Sequence, residues 1–453
     1  MKLECNISTE LQNGVGLMEI KPFKAFRFNE AMVGDAGKCI APPYDVIDAI
    51  EQQQLYEKSE YNIVHITKGK TTPSDNETNN QYTRAADYFN TWVKKGILKQ
   101  DTAESIYAYV QGFNLAGVGF QRFSFIALAK LEDFGKMVRP HEETLDGPKI
   151  DRLNLERATA AKFGLVFMLY DDKQKIADKI ITKTANQEPL IDFVDEQNVR
   201  HRLFAITARN DIDAIAKTMT DKSCIIADGH HRYEVGLSYY KETGNPAAGY
   251  QMIAFVNTCD DGVVILPYHR LVGNLKDFCV EKLLAGLKKN FGITEFRFDS
   301  RKGQMDARQE MLMKMTVECD SGKNAFGIYA GSDSFYLAVL KNKRAIDSAA
   351  PNMSNGWKSL DVSVLHKLVL EELLGIDEKK LASQSNIEYL VGTSGAVDES
   401  INKVDSKEKQ AVFFMNPVKM QQLRTVAAAG EKIPQKSTYF FPKLYTGLTI
   451  EKM

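Results

Sequence analysis

Apolar residues along this chain switch repeatedly between a helical and a strand period. Over 82–95 (YTRAADYFNTWVKK) they fall three and four apart, which predicts a helix that Gly96 ends. Alternating runs at 105–110 and 120–131, joined through a Gly-rich turn, predict a hairpin. The continuous run 163–170 (FGLVFMLY) falls far short of the roughly 20 residues a membrane helix needs and predicts a buried strand. A short strand follows at 224–227, then a helix on which Tyr233, Leu237 and Tyr240 share a face, stopped by Gly244, Asn245 and Pro246. The next strand covers 252–256. Asp260, Asp261 and Gly262 then turn the chain into VVILPYHRLV, a strand that delivers His269 and Arg270 at its end.

Further along, helical patterns around 280–290 and 306–315 and strands around 325–330 and 335–340 predict a separate small α/β unit. Beyond Ser359 come the helix DVSVLHKLVLEELLGI, a strand at 411–415 and the terminal motif GEKIPQKSTYFFPKLYTGL (430–448). Its aromatics and prolines predict that it packs back on the core. The expected class is α+β in four segments: an N-terminal α+β segment (20–131), a core (132–274), the small α/β unit (275–345) and a C-terminal helical segment with the terminal motif (346–453). The polar insert 70–81 (KTTPSDNETNNQ) reads as a mobile loop.

Charge changes the picture more than composition does. The 58 basic residues nearly cancel 59 acidic ones, giving a net charge of -1, so no global field draws the protein to nucleic acid or to an anionic membrane. Neither partner is expected, and any anion site is local. The six cysteines are scattered without a CxxC pair or zinc-type spacing, and the N-terminal MKLECNISTELQNG lacks the order of a signal peptide. A reduced, cytoplasmic protein is the expectation. Oligomeric state has no sequence signal here.

The candidate chemistry gathers at IIADGHHRYEVG (225–236). Helix-start amides lack internal partners and lie at the positive end of the macrodipole, so a strand-to-helix loop suits an anion. Gly229 permits close backbone approach, while His230, His231 and Arg232 add donors. Asp228 is a candidate Mg²⁺ ligand, histidine partner or proton acceptor, with a plain helix N-cap as the alternative. In RPHEETLDGPKIDR, Glu142 or Glu143 is a candidate carboxylate beside His141, with Lys149 and Arg152 as an anion-binding pair. PYHR supplies His269 and Arg270, and QKSTYFFPK supplies Lys436, Ser437 and Thr438, whose aromatic neighbours read as core. APPYDVI (41–47) reads as a rigid turn that holds Asp45. The chain has no GxxxxGK[ST] loop, kinase-type Gly-rich loop or strand-linked GxGxxG.

Taken in order, APPYDVI, HEET…DGPKIDR, ADGHHRYE, ILPYHRLV, LDVSVLHKLVLEELLGI and PQKSTYFFPKLYTGL resemble the family known as domain of unknown function 1015, from about residue 20 to 448. DGHHR alone is similar to the phosphate loop of the ParB/sulfiredoxin superfamily, which includes free serine kinases. That resemblance implies a ParB/sulfiredoxin-like mixed core, with Asp228, Gly229, His231 and Arg232 at nucleotide phosphates. His at position 230, where sulfiredoxin has its cysteine, argues against that activity, and ParB's DNA-binding helices are missing. The expected activity is a small-molecule kinase that uses ATP or ADP with Mg²⁺ on a small hydroxyl compound such as free L-serine. Arg232, His231 and the loop amides hold the phosphates, and Glu142, or else Asp228, accepts the proton. A nucleotide-responsive regulatory protein and a phosphate-ester hydrolase using the same loop remain the alternatives.

Overall fold

The structure is a computed structural model that describes residues 17–135, 137–142 and 146–453. The chain divides into two compact units, one made of residues up to 140, 144–263 and 442–453, the other of 141–143 and 264–441.

The first unit is built on a nine-stranded mixed sheet. Its main path runs Val138–Pro140, Cys224–Asp228, Val166–Tyr170, Tyr250–Asn257, Val118–Lys130, Ile106–Leu115, Arg200–Ile206 and Ile191–Val194, with Ile20–Lys21 added against Val118–Lys130. The hairpin Ile106–Leu115/Val118–Lys130 closes through Ala116 and Gly117 at φ 50° and 81°. Two consecutive positive φ values give the turn that matches strand twist. The register of Cys224–Asp228 against Val166–Tyr170 shifts between Ile226 and Asp228. A bulge of this kind re-aims a side chain at a strand end, here that of Asp228. Phe125, Val166, Met168, Phe204, Ile226, Ile253 and Phe255 form the buried apolar centre.

Three helices pack together, Gln81–Lys94 and His230–Thr243 each against Asp146–Thr159. The first starts at Asn80, whose side chain accepts from the Thr83 amide while Thr83 returns a bond to the Asn80 backbone. Insert residues 70–80 form an irregular loop, closed by an ion pair of 2.9 Å between Arg84 and Asp75. The last twelve residues of the chain belong to this unit. Thr446 N–H donates to Ala41 O at 2.7 Å, and Glu451–Lys452 pairs with Ala161–Lys162. Arg122, fully buried, donates to Gln111 Oε1 and to Pro442 O, so a strand residue holds the start of this returning segment.

The second unit carries a six-stranded antiparallel sheet in the order Phe291–Arg297, Ser334–Leu340, Ala325–Tyr329, Ala411–Met415, Tyr268–Val272, Ile387–Val391. The helix Arg301–Asp320 covers it through Ala307, Met311 and Met315. That helix is longer than the sequence pattern predicts. The edge strand Phe291–Arg297 was not legible as a strand, because it buries only Phe291 and Phe296. The helix expected from DVSVLHKLVLEELLGI starts at Asp361 and widens into a π-helix over His366–Glu371. Among the described residues, no helix is long and apolar enough to cross a membrane.

Gly262 sits where the first sheet's hairpin leaves no space: a Cβ there would lie 2.1 Å from Gln121 O and 2.6 Å from Arg122 Cα. Backbone cannot yield as a flexible side chain does. Gly262→Ala is therefore expected to cost about 1–3 kcal/mol in urea unfolding, the range of overpacked sites. An unchanged midpoint would contradict this close approach.

Candidate functional site

Asp228 ends a strand, Gly229 makes the turn, and the helix begins at His230. Gly229 has φ +87°, and a Cβ on it would lie 3.0 Å from Arg232 Cζ. Only glycine meets both conditions, so the Arg232 guanidinium lies directly against the turn. Asp228 is not spent on capping the helix amides. Its Oδ2 accepts from Arg232 Nη2 at 2.7 Å and its Oδ1 from Lys443 Nζ at 2.8 Å. Arg232 Nη1 donates to Leu165 O. Burial alone would raise the Asp228 carboxyl, but Lys443 and Arg232 outweigh it and hold the group well below the usual carboxylate range.

His230 and His231 occupy the first turn of the helix. Burial holds His231 below its ordinary value, with Asp45 and Glu234 pulling the other way. Lys149, on the helix Asp146–Thr159, reaches Glu234 at 2.6 Å. Arg152, one turn further, donates to Asp151 and to Thr67 O and lies 4.1 Å from the Tyr44 ring centre. The turn APPYDVI thus supplies an aromatic platform as well as Asp45.

Between these groups lies a small cavity of about 50 Å³, lined by Tyr44, Arg152, Glu156, Lys162 and Arg232 among others. Two of its polar atoms, Tyr44 Oη and Glu156 Oε2, are buried without a hydrogen-bond partner. Burial pushes the Tyr44 hydroxyl up to about 12, so it stays protonated and is a donor in want of an acceptor. Three cations and an unmatched hydroxyl donor face one carboxylate. This is a place for a small anionic group.

Mg²⁺ fits less well. Both oxygens of Asp228 face a cation, and no cluster of three His, Cys, Asp or Glu suited to a metal occurs among the described residues. The side chains here do not make a protein-held Mg²⁺ site, at Asp228 or elsewhere in the loop.

The other candidates fall in the second unit. His141 is buried, with Nε2 2.9 Å from Thr438 Oγ1, and Glu142 Oε1 accepts from the Lys436 amide at 2.8 Å. Ser437 Oγ donates to Pro434 O. His269 is buried in the sheet, where its Nδ1 accepts from Met415 N–H at 3.2 Å; burial first, then Arg270, brings it down to about 4. Arg270 is buried too, donating to Tyr268 O and to Lys436 O. Glu143 lies outside the described residues. The structure therefore gathers Asp228, Gly229, His230, His231, Arg232, Lys149 and Arg152 in one unit, and His141, Glu142, His269, Arg270, Lys436 and Ser437 in the other.

Residues 20–363 match the family described as protein of unknown function (DUF1015). The chain belongs to that family. No curated protein matches it. Among solved structures, it is similar to a free serine kinase variant in complex with ADP, at 11% identity over 68% of this chain and 92% of that one, with a TM-score of 0.33. It is also similar to a conserved hypothetical protein from Pyrococcus furiosus (13% identity, 68% and 90% coverage, TM-score 0.32) and to C-terminally truncated SbnI from Staphylococcus aureus (9%, 70% and 84%, 0.33). Similarity at this level assigns no activity.

Sequence reading missed four groups of this candidate site: Tyr44, Glu156, Lys162 and Lys443. Lys443 stood in the terminal motif but carried no signal beyond its charge. Its position at Asp228 makes a pH prediction. A carboxyl depressed in the folded state adds stability above its unfolded value of about 3.9, and that stability is lost as pH falls through the folded value. Lys443→Met removes one of the two cations, so the depression shrinks. Acid unfolding, followed by circular dichroism, is expected to begin at higher pH in the variant than in wild type; coincident acid transitions would show that Lys443 does not set the state of Asp228.

Proposed function

We propose that this DUF1015 protein is a nucleotide-dependent phosphotransferase that acts on a small hydroxyl metabolite, with free L-serine the first acceptor to test. The observation that supports this most is the cationic cavity beside the helix start, where Arg152, Lys162 and Arg232 surround an unmatched Tyr44 hydroxyl. It suits a phosphoryl group, which spreads its charge over several oxygens as it transfers and is stabilised by fixed donors with little covalent work from the protein. The likeness of DGHHR to the phosphate loop of free serine kinases supports the same reading, and with it a ParB/sulfiredoxin-like core for the first unit.

In this proposal Arg232 and the loop amides grip phosphate. Arg152, Lys162 and Lys149 offset its charge. His231, kept largely neutral by burial, donates a hydrogen bond rather than a charge. The acceptor hydroxyl gives its proton to a carboxylate as its oxygen takes the terminal phosphoryl group, releasing ADP from ATP or AMP from ADP. Asp228 recedes as a base, since a carboxyl held so far below the usual range takes protons poorly. Asp45, beside His231 in the same unit, is the carboxylate for this step, whereas Glu142 lies in the other unit.

The test is turnover. Purified protein incubated with ATP or ADP, Mg²⁺ and L-serine is expected to give a new phosphomonoester signal in phosphorus NMR. Asp45→Asn is expected to retain nucleotide binding while turnover falls roughly 10²-fold or more, the scale of acid-base catalysis. Normal turnover in Asp45→Asn would remove the proposed base. Nucleotide binding without product from serine or any other small alcohol would favour a regulatory protein built on the same loop.

A further inference from the structure

The second unit holds a cavity of about 360 Å³ that is lined by none of the residues given a role above. Its size falls within the range of small-molecule sites. Its wall is mostly apolar, with Trp357, Met353 and Ile433 prominent. Three features set it apart from a packing defect.

First, His366 lines it, is 7% exposed, and its Nε2 is buried without a hydrogen-bond partner. An orphaned buried nitrogen is costly and asks for an explanation, most simply a group that arrives with a ligand. Second, His366 opens the π-helix His366–Glu371. Single π-turns inside helices cost regular hydrogen bonding and recur where a side chain must be presented to a ligand. Third, the lining charges, Lys367 and Lys432 against Glu371 and Glu378, balance in number but not in place. Lys367 is matched by Glu371 at 2.8 Å and Glu378 at 3.4 Å, whereas no ion pair to Lys432 is found among the described residues. The Trp357 indole donates to Lys432 O at 3.1 Å, which fixes the largest apolar surface beside the unmatched cation. Arg270, whose Nε is also buried without a partner, lies 5.6 Å from the ring of Tyr389, another lining residue, and adds positive charge behind the wall.

We propose that this cavity binds a small carboxylate with an apolar body, its carboxylate at His366 and Lys432 and its body against Trp357, Met353 and Ile433. An amine of the same shape would meet Lys432 and the field of Arg270 with the wrong sign. A neutral alcohol would leave the cation unmatched. The proposal stands apart from the phosphotransferase reading and survives its failure.

The experiment titrates the full-length protein by calorimetry with 3-phenylpropionate, 3-phenylpropylamine and 3-phenylpropanol. Saturable binding of the carboxylate is expected, with the amine and the alcohol each weaker by roughly tenfold or more, the scale of a charge-assisted bond. Lys432→Ala is expected to weaken 3-phenylpropionate by a similar factor, and Ala349→Trp, which fills the cavity from its half-buried wall, to abolish its binding. His366→Phe tests the orphaned nitrogen directly. Lys432→Ala and Ala349→Trp keep the test valid should that variant fail to fold. Absence of saturable carboxylate binding, equal binding of carboxylate and amine, or wild-type affinity in Ala349→Trp would overturn the proposal.

Discussion

One half-buried carboxylate organises the candidate site. Asp228 lies between Arg232, one helical turn away, and Lys443, which the chain brings back from near its end. A carboxylate inside a protein is costly unless paired, and here two cations pair it at once. The pairing also constrains everything around it. The strand bulge aims Asp228, Gly229 makes room for the guanidinium, and the returning segment 442–453 must dock for Lys443 to arrive. Breaking any of these leaves a half-buried charge short of a partner.

That constraint explains why the terminal motif is rich in groups that look superfluous in sequence. Arg122 holds Pro442 O, Gln111 donates to Lys443 O at 2.9 Å, and Thr446 pairs with Ala41 next to the turn that carries Tyr44 and Asp45. These bonds fix the backbone on both sides of Lys443. The same segment therefore sets the state of Asp228 and supports the turn whose tyrosine faces the cationic cavity.

Much of this was legible in the sequence, and the limits of legibility are physical. The helix start at Gly229, the hairpin and the helix Gln81–Lys94 announce themselves through local periodicity and turn chemistry, which depend on neighbours in sequence. Asp228, His231, Arg232 and Arg152 stood out because they cluster locally. Lys443 and Tyr44 did not, because their role arises only from pairings across most of the chain. Lys162 and Glu156 stand in no motif, and only their burial brings them to notice. His366 was hidden for another reason: a π-turn has the same composition as the helix it interrupts.

In the proposed function the helix start at Gly229 grips phosphate through Arg232, and calorimetric titration with ADP reads that grip without turnover. Wild type is compared with Arg232→Ala and with Lys379→Ala, an exposed lysine in the second unit, after thermal melts show all three folded. Arg232→Ala is expected to bind ADP roughly tenfold or more weakly, and Lys379→Ala as wild type does. Equal ADP affinity in all three proteins would contradict that grip.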